Sequence, residues 1–281
     1  MITLHDISKR YTVSEDQALR SVSLSIPQGS VVGIVGRNGS GKSTLVSIMC
    51  GLLRPSLGYI EIEGNSDPDF VDEWQRKNIA FLSQSPLALN SLTVKEAISH
   101  FRSLYKSFLD EEEVEQLYRR LNLDSVVDRN CAQLSGGQRK LVQLAIAVSS
   151  GRKLVVLDEP TNELDPIKRE LVWGEITRLS GEGTTVIVVT HAVAEVEDIL
   201  SEVVVLDEGV VVAHEHCDGS ADPRGGHRFI VRYRDRGELC QVEVDQGDVP
   251  TLVGSLASRG FVDIEIGRVS LEDRFIELVQ K

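Results

Sequence analysis

The sequence predicts an α/β fold built around a parallel sheet, and two patterns support this. Continuous apolar runs at residues 31–35, 154–157 and 185–189 have the length and the β-branched composition of strands that are buried on both faces. Stretches with helical spacing of apolar residues follow these runs. Strands that alternate with helices are typical of parallel sheets covered by helices. A chain of 281 residues is also long enough for one large domain and a smaller one.

The first part of the chain predicts a small antiparallel sheet beside the parallel one. Residues 2–36 have the character of strands, with apolar and polar residues alternating at 22–26. Residues 59–64 alternate in the same way and predict another half-exposed strand. Between them, apolar residues at helical spacing from Leu45 to Leu52 predict a helix, which Arg54-Pro55 would end.

The remainder divides into a helical subdomain and a small C-terminal domain. Residues from about 87 to 150 predict the helices, and Thr93 to Glu96 form a capping-box sequence that opens one of them. Around residues 215–227 the chain becomes polar and rich in glycine, so we expect a boundary between domains at 1–214 and 215–281. The expected strands and helix of this α+β domain are residues 229–233, 242–244 and 252–257.

The composition favours a cytoplasmic protein that does not bind nucleic acid. A formal net charge of -13 disfavours a nucleic-acid partner, because such binders carry a basic face. No run approaches the roughly 18 apolar residues of a membrane-spanning helix, and the N-terminus does not have the pattern of a secretory signal. The four cysteines are scattered without the paired spacing of a metal site or a disulfide framework. The stretch 214–217, which contains two histidines, is interpreted as a solvated linker.

The loop after the first buried strand carries the strongest motif. It reads Gly-Arg-Asn-Gly-Ser-Gly-Lys-Ser and fits the P-loop pattern, in which backbone amides and a helix N-terminus surround phosphate oxygens. Lys42 would reach the β- and γ-phosphates, and the Ser43 hydroxyl would bind Mg²⁺. The predicted nucleotide-binding residues are Gly36, Arg37, Asn38, Gly39, Ser40, Gly41, Lys42, Ser43 and Thr44. A P-loop alone leaves GTPases, kinases and recombinase-like motors open.

A second anion site is predicted where another helix begins. The sequence Leu-Ser-Gly-Gly-Gln at residues 134–138 precedes a strongly periodic helix. An ordinary helix cap would explain Ser135 but not the consecutive glycines. Because the chain has two such helix ends and one P-loop, we infer that two copies face each other and complete each other's nucleotide sites. The residues of this second site are Ser135, Gly136, Gly137 and Gln138.

These motifs together resemble the ATP-binding cassette (ABC) family over about residues 1–214. Leu-Ser-Gly-Gly-Gln is similar to the ABC signature, and the next apolar strand ends in Asp158 and Glu159, as in that family. The resemblance implies an ABC-type P-loop NTPase fold, with Asp158 supporting Mg²⁺ and Glu159 acting as general base. By the same resemblance, His191 contacts the γ-phosphate. Gln84 senses Mg²⁺ and water and borders a groove for a membrane partner.

Three further positions are identified by this resemblance. Tyr11 matches the aromatic residue that stacks on adenine, and Asp165 is retained in the D-loop. Glu163 stands where the family more often has a small residue, so we expect altered contacts across the dimer. The tail, with Ser270 to Phe275, resembles the extension of drug-export-type ABC ATPases, although Arg274 replaces an apolar residue. A generic appendage that aids dimerisation is the alternative.

The sequence therefore predicts the ATP-hydrolysing subunit of an ABC transporter, with export as the expected direction. The resemblance implies a dimer that binds two ATP and Mg²⁺, with Ser43, Gln84 and Asp158 around each metal. It also implies a separate transmembrane permease that holds the subunit on the inner face of the membrane. One alternative is a soluble ABC ATPase of DNA repair or translation, although no long coiled-coil insertion is visible. A regulatory module without turnover is disfavoured because Glu159 and His191 are retained.

Overall fold

The bounds of the strands and helices come from a computed structural model of the chain. It describes residues 1–11, 17–85, 87–104, 108–192, 195–217, 228–235, 238–261 and 263–268. The strands are β1 (Ile2–Arg10), β2 (Gln17–Ile26), β3 (Val31–Val35), β4 (Leu57–Ile62), β5 (Ile79–Leu82), β6 (Leu154–Asp158), β7 (Thr185–Thr190), β8 (Glu202–Asp207), β9 (Val210–His216), β10 (Arg228–Asp235), β11 (Glu238–Asp245) and β12 (Glu265–Arg268). The helices are α1 (Lys42–Met49), α2 (Pro68–Asn78), α3 (Val94–Ser103), α4 (Glu111–Arg120), α5 (Gly136–Ser149), α6 (Pro166–Gly181) and α7 (Val249–Ser258).

The chain divides into two compact units. The first comprises residues 1–192 and 199–216, and the second comprises residues 193–198 and 217–281. Within the described part of the chain, no helix is long and apolar enough to cross a membrane.

A six-stranded sheet forms the centre of the first unit and confirms the predicted parallel sheet. Its order is β5-β6-β7-β3-β8-β9, and every pairing is parallel except that of β8 with β9. All residues of β3 and β7 are buried, which is why these strands have no alternation in sequence. In the ladders Val35 pairs with Thr190 and Asp158 with Val189. The loops that follow β3, β6 and β7 therefore emerge at one edge of the sheet, where ligands of such sheets bind.

The predicted antiparallel sheet is also present, in the order β2-β1-β4. Its inner face and α1 enclose a core of fully buried side chains that includes Leu4, Ile34 and Leu45. Helix α1 ends at Met49, earlier than expected, and Leu52 is 65% exposed. The prediction that the helix extends to Leu52 was wrong because Gly51, at φ 71°, turns the chain into the left-handed conformation.

The helical subdomain is organised around α5, whose residues 141–149 are all buried. Helices α3, α4 and α6 pack against it. The predicted capping box at the start of α3 is confirmed: the Thr93 amide donates to Glu96 Oε2 at 2.8 Å, and the Glu96 amide donates to Thr93 Oγ1 at 3.2 Å. This cap holds the start of the helix that follows the segment containing Gln84.

The second unit contains the strands and the helix that the sequence predicts there. The sheet order is β11-β10-β12, both pairings are antiparallel, and α7 packs against β10. The predicted segment Ser270 to Phe275 lies outside the described residues. The interpretation of the stretch that begins at His214 as a solvated linker was wrong, because β9 continues to His216. Two contacts hold this end of β9, since His214 Nε2 lies 2.7 Å and His216 Nδ1 3.4 Å from the buried carboxylate of Glu202.

Candidate functional site

The P-loop lies between β3 and α1, and its shape requires glycine. Gly41 has a φ of 104°, and a Cβ placed there would lie 2.5 Å from the carbonyl oxygen of Ala18. A Cβ at Gly36 would lie 2.2 Å from the carbonyl oxygen of Leu206. Both contacts are far below van der Waals distance, so no other residue fits without displacing the backbone. The chain can therefore turn closely around the N-terminus of α1.

Two polar side chains of this loop are directed at its own interior. Lys42 Nζ donates to the carbonyl oxygens of Gly36 at 2.7 Å and of Arg37 at 3.0 Å. Burial lowers the pKa of Lys42, while the charges of Glu159 and Asp158 oppose that shift. Ser40 is 3% exposed, and its hydroxyl has no hydrogen-bond partner among the described residues. A buried hydroxyl without a partner is costly, and a phosphate oxygen is a suitable partner for it.

A cavity of about 440 Å³ opens in front of the loop, within the roughly 300–1,000 Å³ range of small-molecule sites. Its walls come from the P-loop, from the segment after β5, and from the ends of β6 and β7. Ten of the residues predicted from the sequence share this lining: Asn38, Gly39, Gly41, Lys42, Ser43, Thr44, Gln84, Asp158, Glu159 and His191. The structure thus brings residues from four separate stretches of sequence to one site.

Glu159 and His191 form a hydrogen-bonded pair in this cavity. The carboxylate Oε1 of Glu159 lies 2.7 Å from Nδ1 of His191, and Thr190 Oγ1 donates to Oε2 at 3.4 Å. An ionised carboxylate only accepts, so in this contact the proton would lie on His191 Nδ1 and Nε2 would be left for another contact. The backbone of Glu159 has a φ of 49°, and its amide donates to the carbonyl oxygen of Val189 at 2.9 Å. This left-handed turn at the end of β6 fixes the direction of the carboxylate.

The cavity also collects the oxygen donors predicted to surround a metal. Ser43 offers a hydroxyl, Gln84 an amide oxygen and Asp158 a carboxylate, which are the hard oxygen donors that Mg²⁺ accepts. Burial, followed by the neighbouring charge of Glu159, raises the pKa of Asp158, while Lys140 and Lys42 oppose that shift. A bound divalent cation would offset both the lost hydration of the Asp158 carboxylate and its repulsion by Glu159, so this set of residues fits Mg²⁺.

Tyr11 lies beside the P-loop helix rather than in the wall of the cavity. Its hydroxyl is 3.2 Å from Thr44 Oγ1, and Lys9 Nζ lies 5.7 Å from the centroid of its ring. The residue is 44% exposed, which leaves ring surface on which a base could stack. Its predicted contact with adenine is therefore compatible with its position next to Thr44, a residue of the lining.

The signature residues lie elsewhere on the first unit. Ser135 caps α5: its hydroxyl accepts from the Gln138 amide at 3.2 Å, and the Gln138 side chain accepts from the Ser135 amide at 3.1 Å. Ser135 and Gly136 are exposed. A Cβ on Gly137 would lie 2.9 Å from Lys168 Cδ, so the start of α5 adjoins the start of α6. Neither residues 135–138 nor Asp165, which caps α6, are among the described residues that line the P-loop cavity.

Sequence reasoning missed two residues of the cavity lining and one charged residue beside the site. Ala18 and Asn162 also line the cavity. Lys140 is half-buried on α5; burial lowers its pKa, and the charges of Asp158, Glu159 and Glu163 oppose that shift. Asn162 could have been found from its place four residues after Asp158. The sequence has no signal for Ala18 or for the charges around Lys140, because both depend on tertiary packing.

A P-loop, two carboxylates at a strand end and a hydrogen-bonded histidine on a parallel sheet define a P-loop nucleotide hydrolase. A family model described as "ABC transporter" matches residues 19–162. The chain is 33% identical to a daunorubicin resistance ATP-binding protein of Streptomyces coeruleorubidus, over 85% of this chain and 75% of that one. It is 31% identical to a zinc uptake system ATP-binding protein of Listeria monocytogenes, over 85% and 96%.

A solved dimeric ATP-binding cassette in a post-hydrolysis state, bound to ADP and phosphate, matches with a TM-score of 0.68. The identity is 28%, over 78% of this chain and all of that one. The chain belongs to the ABC transporter family, as an ATP-binding and ATP-hydrolysing subunit. The predicted ABC fold and ATP hydrolase activity are thereby confirmed.

Proposed function

We propose that two copies of the chain hold two MgATP between them and drive export through a separate membrane permease. The observation that carries the dimer is the separation of the two anion-binding ends within one chain. Lys42 lines the P-loop cavity, whereas Ser135 is exposed at the start of α5 and does not line it. A second copy can place its own α5 N-terminus opposite that cavity, where its partial positive charge would face a γ-phosphate.

The residues of the cavity divide the chemistry of hydrolysis between them. Glu159 accepts the proton of the attacking water, and His191, held through Nδ1, presents its Nε2 edge toward the γ-phosphate. Lys42 and the loop amides bind the phosphate oxygens. Mg²⁺, when held by Ser43 and Asp158, supplies neutralisation of phosphate charge. Loss of the γ-phosphate removes the link between the two copies, so ATP closes the dimer and hydrolysis opens it.

The composite site predicts that two inactive variants restore each other when mixed. A Cβ at Gly136 meets open space, so Gly136→Asp leaves the fold unchanged but places a negative charge at the anion-binding end of α5. We expect this variant to lose at least about 10²-fold in hydrolysis rate, as when one preorganised donor is removed. Mixed with Lys42→Ala, it should regain activity, because one site of each mixed dimer keeps an intact P-loop and an intact signature. Phosphate release from each variant and from the mixture measures this.

Gly174→Asp is the matched control, because Gly174 is an exposed position on α6 where a Cβ also meets open space. We expect it to hydrolyse ATP at the wild-type rate. A mixture that stays as inactive as its two components would contradict the composite site, since each chain would then use only its own residues.

The permease partner is supported by a groove on the helical subdomain. A pocket of about 710 Å³ opens along α3, which follows the segment of Gln84. Its lining is mostly polar and charged, with one apolar residue, Leu92, which is the composition of the rim of a protein interface. The residues concerned are Ser91, Leu92, Lys95, Glu96, Ser99 and His100.

Export is supported by the similarity to the daunorubicin resistance ATP-binding protein, which aligns with this chain over 242 residues. The chain should therefore purify from membranes together with a permease. We expect inside-out vesicles with both proteins to accumulate daunorubicin when ATP is added outside, and vesicles carrying Glu159→Gln to accumulate none. Zn²⁺ uptake into right-side-out vesicles with ATP inside, without any transport of daunorubicin, would contradict export. Recovery of the chain free of any membrane protein would favour a soluble ABC ATPase instead.

A further inference from the structure

A buried ion-pair cluster joins α6 to the helical subdomain. Glu175 of α6 has a side chain that is only 1% exposed. Arg120, the last residue of α4, donates from Nε to Glu175 Oε2 at 2.8 Å and from NH2 to Oε1 at 3.4 Å. Arg178, one turn further along α6, donates to Oε1 at 3.0 Å from Nε and at 2.7 Å from NH2. The carboxylate is thus held by two guanidinium groups, one of them 55 residues away in sequence.

Arg120 and Arg178 have different parts in this cluster. Arg178 belongs to the same helix as Glu175 and also pairs with Glu182, so its bonds stabilise α6 alone. The two bonds of Arg120 cross from one helix to another. A buried carboxylate needs partners that compensate its lost hydration, and a planar guanidinium that binds it at both oxygens also fixes direction. The Arg120–Glu175 pair therefore fixes the C-terminal end of α4 against the middle of α6.

The two helices that this pair joins lie next to α5, which begins with the predicted signature. The signature residues, 135–138, do not line the P-loop cavity. Both α4 and α6 pack against α5, whose first turn contains the signature. At its other end α6 begins at Pro166, directly after its cap Asp165, and the Lys168 side chain lies against Gly137. Helix α5 is thus held against α6 at its start, and α4 is held to α6 through Arg120. The contact of Lys168 with Gly137 and the ion pair of Arg120 with Glu175 together fix the orientation of α5, and therefore the direction in which Ser135 faces.

We propose that the Arg120–Glu175 ion pair is a positioning element that orients the signature of one copy toward the nucleotide of the other. Arg120 is not among the described residues that line the P-loop cavity, so it acts through α4 and α5. This role rests on the proposed dimer, in which Ser135 is used in trans. Its loss should impair dimer closure and turnover, while binding of ATP to the P-loop of a single chain should be unchanged.

The test compares Arg120→Ala with Arg119→Ala, which removes a neighbouring exposed arginine whose contact with Glu115 is 3.9 Å and whose side chain is 70% exposed. Both changes are made in the wild-type chain for kinetics and in a Glu159→Gln chain for ATP-dependent dimerisation by light scattering. We expect Arg120→Ala to keep its affinity for a fluorescent ATP analogue in the monomer. Its dimerisation should weaken and its kcat should fall by up to about 10²-fold, the cost of a misplacement of about 1 Å by a remote mutation. Arg119→Ala should match the wild type, and Arg120→Lys, which restores the charge, should recover part of the loss.

Each result of these experiments either supports or contradicts the positioning role of Arg120. A folded Arg120→Ala chain with wild-type dimerisation and kcat would overturn the positioning role. If Arg120→Ala does not fold by circular dichroism, Arg120→Gln, which keeps one donor and most of the volume, replaces it. Wild-type dimerisation of that variant would overturn the role, and weakened dimerisation with unchanged monomer affinity would support it. Failure of Glu159→Gln alone to dimerise with ATP would instead overturn the proposed dimer and, with it, this inference.

Discussion

Replacing Glu159 with glutamine is expected to lower the steady-state rate of ATP hydrolysis by about 10² to 10⁴-fold, the usual contribution of a general base. Glutamine keeps the size of the side chain and can still accept a hydrogen bond from His191, so the geometry of the pair at 2.7 Å should survive. It cannot take up the proton of the attacking water. We therefore expect Glu159→Gln to bind ATP normally and to accumulate as an ATP-bound dimer. Phosphate release and light scattering with and without ATP measure the two effects.

The matched control for this change is Glu170→Gln, which alters an exposed carboxylate on α6 without approaching the cavity. It should hydrolyse ATP at the wild-type rate and show no stabilised dimer. Unchanged turnover in Glu159→Gln would mean that another group accepts the proton. The assignment of Glu159 as the base would then fail even though the family assignment would stand.

The sheet was predictable from sequence, and the ends of some elements were not. Strands β3 and β7 are covered on both faces, so their apolar runs identify them without any knowledge of their neighbours. The end of α1 depends on Gly51, whose left-handed turn overrides the helical spacing that Leu52 continues. The extension of β9 to His216 depends on a partner strand and on Glu202, which periodicity within β9 does not show.

The candidate site also has one part that the sequence predicts and another that depends on tertiary packing. A phosphate loop is a local structure, so the residues around Lys42 could be identified from an unbroken stretch of sequence, and ten predicted residues do line one cavity. Residues that reach the site through packing were missed, as with Ala18 from a strand of the other sheet and Lys140 from the side of α5. The Arg120–Glu175 pair is the extreme case, because nothing in either helix indicates a partner 55 residues away.

Replacing Lys42 with alanine is expected to weaken ATP binding by at least about 30-fold, which corresponds to roughly 2 kcal/mol, the lower end of the cost of removing one partner from a buried charge pair. The ammonium is already directed into the loop by the carbonyl oxygens of Gly36 and Arg37, so it needs little reordering to meet phosphate oxygens. Lys42 is half-buried, and this burial lowers its pKa; a partly dehydrated ammonium attracts an incoming anion more strongly than one in bulk water does. Equilibrium titration with a fluorescent ATP analogue measures the change.

Two comparisons separate loss of binding from loss of structure in Lys42→Ala. Lys77→Ala removes an exposed lysine of α2 that pairs with Glu73, and it should bind the analogue with wild-type affinity. The thermal unfolding midpoint of Lys42→Ala without nucleotide should stay close to that of the wild type, because the main-chain turns at Gly36 and Gly41 do not need the lysine. The rise in midpoint that ATP produces in the wild type should be lost in Lys42→Ala, since that rise comes from binding to the folded state alone. Wild-type affinity in a folded Lys42→Ala chain would mean that the loop binds phosphate through its amides alone and that Lys42 acts only after binding.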